Sequence, residues 1–455
     1  MPTIQGVSRI LSVTLTRLAG VKGLLSFDKI AIISDDTPNA SFGASNRAKK
    51  YNISELASVG TDFGTSTATY KAAAAIVGQS PTVKDFYVIK TGTNVAQEKL
   101  VTWSADFAVG ETITGTVNGT AISVAWNSDQ ATTMGDLNTA IAAAYGIDTS
   151  TGTANVNTVT SDAGYQVDIS ISAAGGDEPT AVVTTSTAGR TIADDITDAL
   201  QETSTALWYA LYYSGTNEGS MWEATKQAET SKLLFAFQTN TAAVKTNVAT
   251  DILSRIKAAG YLRTFGTYRE TLTDHAPAAL LGRCLQADPG AITFWGRTLA
   301  GVTPDNLTSA EIGFVEGKNG NNYCYIAGQG NFQPGICANG DSIQTTRDLD
   351  YFEYKLIEKL LAVLTSRDKT PFSVAGLNLV QSNGQGVMDQ MVNESIFDEG
   401  SSESIAAPSF TVPALADIDA ADKTAHLLDG CTYDATYLDG IRKISVAGNI
   451  QVGGA

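Results

Sequence analysis

A mixed α/β (α+β) fold of several domains is predicted by three observations. Helix-period segments are followed one after another by short apolar strands, a central block loses every basic residue and switches to period two, and further strand patterns lie near both ends. The chain, at 455 residues, is long enough for two or three domains with cores of their own. In order, "FDKIAIIS" reads as a buried strand, "TATYKAAAAIVGQ" as an Ala-rich helix and "DFYVIKTG" as the second strand of the same unit. Beyond the central block come three helix-to-strand steps: "ADDITDALQE" to "WYALYYS", "MWEATKQAE" to "KLLFAFQT", and "ATDILSRIKAAG" to "RTFGTYR". Successive steps of this kind imply crossover connections and a mixed or parallel sheet. Residues 23–94 and 191–345 are therefore expected to form one α/β domain, split in sequence.

What splits it is residues 95–190. From Leu100 to Gly189 there is no Lys or Arg, while Asp106, Glu111, Asp129, Asp136, Asp148, Asp162, Asp168, Asp177 and Glu178 supply nine acids, more than half of the chain's net charge of -17. "ETITGTVNGTAISVAW" and "YQVDISISAAGG" alternate apolar residues with Thr or Ser around Gly and Asn-Gly turns, as antiparallel strands do. Between them "TMGDLNTAIAAAYG" puts Leu137, Ile141 and Ala144 on one helical face. An inserted, mostly β domain at an outer surface is expected here.

A third region, 346–455, opens with "LDYFEYKLIEKLLAVLT", whose Leu349, Phe352, Leu356, Leu360 and Val363 make an amphipathic stripe after an acidic start. Near the other end, residues 1–22 read as an arm and link. There "SRILSVTLTR" sets Leu11, Val13 and Leu15 against Ser12, Thr14 and Thr16, and the Gly-punctuated "LAGVKGLL" follows. "YLDGIRKISVAGNIQV" carries Ile444, Val446, Ile450 and Val452, with a bend at Gly448. Both strands are isolated in sequence. Either they complete their own chain's sheet or they pair with neighbouring copies, because an uncovered strand edge invites association.

The composition narrows the chemistry. With 43% hydrophobic and 17% charged residues the chain reads as globular, and no apolar run reaches the roughly 20 residues of a membrane span. The strong negative charge argues against direct binding to nucleic acid or anionic lipid. "MPTIQGVSRILSV" lacks the pattern of a secretory leader, so cytoplasmic synthesis is expected. Cys284, Cys324, Cys337 and Cys431 are scattered, with no C-x-x-C, and are read as buried free thiols. The two histidines, His275 and His426, stand alone and in no general-base motif. "EGKNGNNYCYIAGQGNFQPG" fits neither phosphate-loop pattern and reads as a turn-rich hairpin, and "DIDAAD" lacks the Gly and closing Glu of a calcium loop and reads as helix capping. No catalytic, cofactor-binding or metal-binding residue is expected. An enzyme on an α/β scaffold with an accessory β domain is the alternative kept, and a secreted adhesin would need the missing export signal.

The ordered set "SRILSVTLTR", the α/β core, "ADPGAITFWGRTLAGVTPDNLTSAE", "GNNYCYIAGQGNFQPGICANGDSI", "RDLDYFEYKLIEKLLAVL", "TPFSVAGLNLV" and "RKISVAGNIQV" resembles the tail sheath proteins of contractile bacteriophages over most of the chain outside 95–190. The resemblance implies a structural, non-enzymatic subunit of a homo-oligomeric sheath of stacked rings, without cofactor, assembled in the host cytoplasm and carried in the virion. Its implied partners are the tail tube protein and the baseplate and terminator proteins. Terminal arms of neighbours would add strands to a sheet of the C-terminal domain, which here carries over to residues 8–17 and 441–452, with Leu11, Val13, Leu15, Ile444, Val446, Ile450 and Val452 at the exchange. The contracting array would need no nucleotide. Arg9, Arg17, Asp348, Asp350 and Glu353 are considered for contacts that change on contraction. The host, the phage tail or related injection device, and the helical parameters stay open.

Overall fold

A computed structural model describes residues 25–43, 45–176, 178–202, 207–401 and 405–440. The described residues divide into two compact units, the larger within 20–286 and 296–342, the other within 287–295 and 343–440.

The larger unit begins with strand β1 (Leu25–Ser34) and strand β2 (Ala48–Asn52). Helices α1 (Leu56–Phe63) and α2 (Ala68–Val77) and strand β3 (Asp85–Lys90) follow. The inserted segment holds strands β4 (Glu98–Trp103), β5 (Thr112–Val117) and β6 (Thr120–Ala125), helix α3 (Gln130–Ala142), and strands β7 (Ile147–Thr153), β8 (Val156–Ser161), β9 (Ile169–Ala174) and β10 (Ala181–Thr187). The alternation then resumes with α4 (Ile192–Glu202), β11 (Leu207–Tyr213), α5 (Glu218–Ser231), β12 (Leu234–Thr239), α6 (Ile252–Ala259) and β13 (Thr264–Tyr268). Helices α7 (Ala276–Cys284) and α8 (Ser309–Gly317) and the hairpin β14 (Asn322–Ile326) and β15 (Gln329–Gln333) complete it.

Six strands form the central sheet in the order β13-β12-β11-β1-β3-β2. All neighbours are parallel except β2, which runs antiparallel to β3 at the edge. The reason lies in the sequence: residues 30–33, 86–89, 207–213 and 234–237 are continuous apolar runs, as parallel strands covered on both faces require, and a crossover helix returns the chain to the same end. Helices cover both faces. On one, α2 and α7 pack together and reach β1 and β12. On the other, Ile192, Ile196, Met221, Ala224, Leu253 and Ile256 from α4, α5 and α6 close over Ile33, Ile89, Leu211, Phe235 and Phe237. Fully burying side chains of this size contributes about 1.5–3 kcal/mol each, so the sheet is the stability centre of the unit.

The segment 95–190 has a separate apolar core. Val101, Trp103, Phe107, Ile113, Val117, Leu137, Ile141 and Val159 cluster together between a four-stranded antiparallel sheet, β10-β4-β8-β7, and a three-stranded one, β6-β5-β9. The Asn118-Gly119 pair takes positive φ at both residues, 47° and 77°, which is the twist a two-residue hairpin needs. Entry and exit are held side by side, since Val95 and Arg190 exchange both backbone hydrogen bonds at 2.9 Å.

The second unit contains α9 (Ile343–Thr365), α10 (Val374–Asn393), the short strand β16 (Ser409–Thr411), α11 (Ala420–Ala425) and β17 (Thr432–Asp434). The predicted stripe on α9 is its buried face: Leu349, Phe352, Leu356 and Val363 meet Leu377, Val380, Val387, Met388 and Met391 of α10. Helix α9 starts earlier than the sequence reading placed it, and Asp348, Asp350 and Glu353 are inside its packed surface at 1%, 5% and 3% exposure. They are buried within this chain, whereas the sequence reading considers them, without a firm role, for surface contacts that change on contraction.

Candidate assembly surfaces

The residues expected at the strand exchange, Leu11, Val13, Leu15, Ile444, Val446, Ile450 and Val452, lie outside the described residues, as do Arg9 and Arg17. What the structure shows is the framework around residues 437–440, where the described residues end. Asp348 accepts from the backbone N–H of Gly290 at 2.8 Å and from the Tyr437 hydroxyl at 3.0 Å. One carboxylate therefore ties α9 to the 287–295 strap and to the segment ending at residue 440. Burial pushes the Asp348 carboxyl up to about 6, against the pull of the Gly290 N–H, the Arg347 guanidinium and the Tyr437 hydroxyl. Tyr437 also forms an antiparallel bridge with Phe397, and Leu438 donates to the Ile396 carbonyl at 2.9 Å.

Strands β16 and β17 make a two-stranded antiparallel ribbon in which Phe410 sits opposite Tyr433. The ribbon is fastened to α10 by Gln385, whose side chain donates to the Pro408 carbonyl at 3.0 Å and accepts from the Phe410 N–H at 2.9 Å. Gly384 makes this approach possible, because a Cβ there would stand 2.3 Å from the Phe410 ring. The α9 to α10 turn presents another surface: Leu361, Leu364 and Val374 are exposed, and Arg367 and Lys369 line a cleft of about 560 Å³ with Leu379 and Ser382.

In the larger unit some buried polar groups hold the fold, while others, among them Trp208 Nε1, Gln238 Oε1 and Arg255 Nε, have no hydrogen-bond partner among the described residues. Arg269 is fully buried, donates to Asp274 and to the Thr303 carbonyl at 2.7 Å, and pairs with Asp305 at 3.1 Å. Burial raises the Asp305 carboxyl to about 6 despite that guanidinium. His275, at 1% exposure, has its Nδ1 2.7 Å from the Tyr212 hydroxyl, and burial lowers it to about 4, so it is neutral at neutral pH. Open α/β sheets take ligands where strand order reverses, at the carboxyl ends of the strands. Here that point lies between β1 and β11, and buried Tyr213 crosses it to hydrogen-bond Asp35. A Cβ on Gly215 would meet both partners at 2.4 Å, so the crevice is filled by the chain's own side chains. Among the described residues no group of three or more His, Cys, Asp or Glu is placed to hold a metal ion, and no helix is long and apolar enough to cross a membrane. Cys284, Cys324 and Cys337 are buried, whereas Cys431 is exposed, which corrects the reading of all four as buried. Asp419 occupies the residue before α11 but makes no side-chain capping bond.

Residue spacing also missed how the inserted segment is mounted. The Arg255 guanidinium lies 3.9 Å from the Tyr145 ring centre and 4.6 Å from that of Trp222, and donates to the Tyr165 hydroxyl at 3.2 Å. Tyr145 and Tyr165 belong to the insertion and Trp222 to α5, so one cation joins the two. No local pattern signals it, because the three aromatics come from distant positions.

No protein-family model matches the chain, and no curated protein matches it. Solved structures do. The sheath of an extracellular contractile injection system (PVC) in its contracted state matches with a TM-score of 0.52 at 10% identity, over 98% of this chain and 99% of that one. The chain has the contractile-sheath fold. The contracted helical sheath of the anti-feeding prophage gives 0.51 at 8% identity, over 99% of each chain. A sheath tail protein from Desulfitobacterium hafniense is also similar, at 0.45 and 11% identity over 94% of this chain and 99% of that one. The similarity to the two contracted sheaths extends through both units.

Proposed function

We propose that this chain is the structural subunit of a contractile sheath, polymerising by strand exchange around a tail tube and driving that tube through the host envelope when the array contracts. The observation that carries this reading is the end-to-end match of both units to two contracted sheaths, each covered over 99% of its own length. The crevice between β1 and β11, filled by Tyr213 and Asp35, favours it over an enzyme. In this reading the arms 8–17 and 441–452 leave the body and add to the β16 and β17 ribbon of neighbours. Main-chain hydrogen bonds make such joints tolerant of side-chain change, and Leu11, Val13, Leu15, Ile444, Val446, Ile450 and Val452 set the register by burying one face. A tube inside, and baseplate and terminator proteins at the ends, are the partners such a sheath requires. The particle is a virion tail or a related injection device, put together in the host cytoplasm.

The body contacts are expected to be partly electrostatic. Against a net charge of -17, the cationic and apolar α9 to α10 turn finds its complement on another copy's acidic surface. Free energy is stored in the extended array and released as contacts are exchanged, so no cofactor enters.

Removal of residues 1–20 tests this reading. The shortened chain should remain a folded monomer by circular dichroism and sedimentation, while tubes formed by the intact chain disappear from negative-stain images. Leu15→Pro, which removes one ladder donor and fixes φ, should reduce tube yield in the same direction. Tubes of ordinary diameter from the shortened chain would refute the exchange.

A further inference from the structure

The cleft at the α9 to α10 turn combines unpaired cations with apolar side chains left in water. Arg367 and Lys369 are exposed along it and make no ion pair among the described residues. Cations just past the C-terminus of a helix are ordinarily explained by its dipole. The dipole does not account for Leu361, Leu364 and Val374, which stand at 45%, 51% and 62% exposure on the helix ends that meet at this turn. Nor can the cleft close on itself, because a two-fold axis through it would bring Arg367 and Lys369 against their own equivalents.

Charge selects the occupant. From residue 355 to 369 the chain carries four bases and two acids, whereas from 370 to 440 it carries eleven acids and the single base Lys423. Several of those acids are engaged within the chain: Glu394 accepts from Gln390 at 2.9 Å, and Asp398 from the Gly400 and Ser401 N–H groups at 2.8 Å. In the 417–429 segment they are not. The side chains of Asp417, Asp419, Asp422 and Asp429 make no hydrogen bond or ion pair among the described residues, and Lys423 is turned to the Leu415 carbonyl at 3.0 Å. Leu427, at 51% exposure, adds an apolar group among these carboxylates. The segment is also preformed. Ile418 is buried in the α9 and α10 core, and Leu415 and Leu428 pack against that core, so docking need not order the segment first.

We propose that the 417–429 segment of one copy docks in the α9 to α10 cleft of the next, its carboxylates on Arg367 and Lys369 and Leu427 against Leu364 and Val374. The inference rests on the polymerising reading above, and the array supplies the segment at high effective concentration. Because the two surfaces differ and lie on one unit, the contact is head-to-tail and propagates from copy to copy. Each exposed ion pair contributes little by itself. The charges set the partner and its direction, and the apolar groups taken out of water contribute the affinity.

Charge exchange in the purified full-length chain supplies the test. Arg367→Glu with Lys369→Glu, and Asp419→Lys with Asp429→Lys, are made as separate pairs and then together, and tube mass is read by sedimentation and negative stain at low salt. All four positions are exposed, and circular dichroism checks that each protein is folded. Either pair alone should lower the sedimented fraction about tenfold, and the combined protein should recover to within about threefold of the intact chain, because both sides of the contact have then changed sign. The milder Arg367→Gln with Lys369→Gln should fall between the intact chain and the reversed pair. Normal tubes from either reversed pair alone overturn the docking and leave the sheath reading standing. A loss from the cationic pair that the acidic pair does not repair overturns it in favour of another acidic surface of the array. Failure of the intact chain to form tubes removes the sheath reading, and this inference with it.

Discussion

Asp348 shows how a single side chain carries both packing and a dependence on pH. Its carboxyl is raised from the ordinary 3.8 to about 6, chiefly because burial penalises the charged form. A group whose folded pKa is raised binds its proton more tightly in the folded chain. Its contribution to stability is complete below about 4 and is lost as pH rises through about 6. The urea midpoint of the intact chain should therefore rise on going from pH 7 to pH 5 relative to Asp348→Asn, which keeps an acceptor for Gly290 but does not titrate. Equal slopes for the two proteins over that interval would show that the carboxylate is better solvated than the structure places it. Sequence gave no access to this residue's role. The acids on α9 read as a solvated helix start, and only the strap at 287–295 and Tyr437, 89 positions away, bury Asp348.

At the level of elements, glycine positions that look alike in sequence have opposite consequences. Gly282 lies in α7 where a Cβ would come within 2.6 Å of the Ile76 carbonyl oxygen in α2, a backbone atom that can yield only if the helices separate. Gly313 lies in α8 with open space around it. Gly282→Ala is expected to lower stability by about 1–3 kcal/mol, because overpacking exceeds the gain in helix propensity. Gly313→Ala is expected to raise it by about 0.5–1 kcal/mol. Denaturation curves that moved in one direction for both variants would contradict the close packing of α2 on α7. The same contrast explains which elements were legible. β1, β11 and β12 are buried on both faces and announce themselves as apolar runs, and the Asn118-Gly119 hairpin is marked by its turn. β10 is exposed on both faces from Val182 to Thr187 and so has no burial period by which the sequence could mark it. Helix α10 has one, with Leu377, Val380, Val387, Met388 and Met391 on its buried side, but Gly376, Gly384 and Gly386 obscured it. Gly384 is there for Phe410, a contact far from the helix in sequence.

For the whole molecule, the way the insertion is attached decides what the α/β body needs. Val95 and Arg190 are already paired as neighbours in an antiparallel bridge, so their Cα atoms stand about 5.5 Å apart, a gap that a two-residue turn closes. The insertion has a core of its own, and the body loses few contacts when it is removed: the Tyr145 and Tyr165 rings around Arg255, and the Gln166 N–H donated to Glu223 at 3.1 Å. Arg255 and Glu223 then gain water in exchange, which limits the penalty to about 1–3 kcal/mol for lost aromatic packing and hydrogen bonding. A chain in which Asn-Gly replaces residues 96–189 is therefore expected to fold, to melt in a transition only a few degrees lower, and to keep the circular dichroism of the α/β body. If it assembles, its tubes should be thinner in negative stain, since the insertion is placed by the sheath reading on the outer surface. A variant that fails to fold would show that the Arg255 joint is part of the body's core and not a mount for a separable segment.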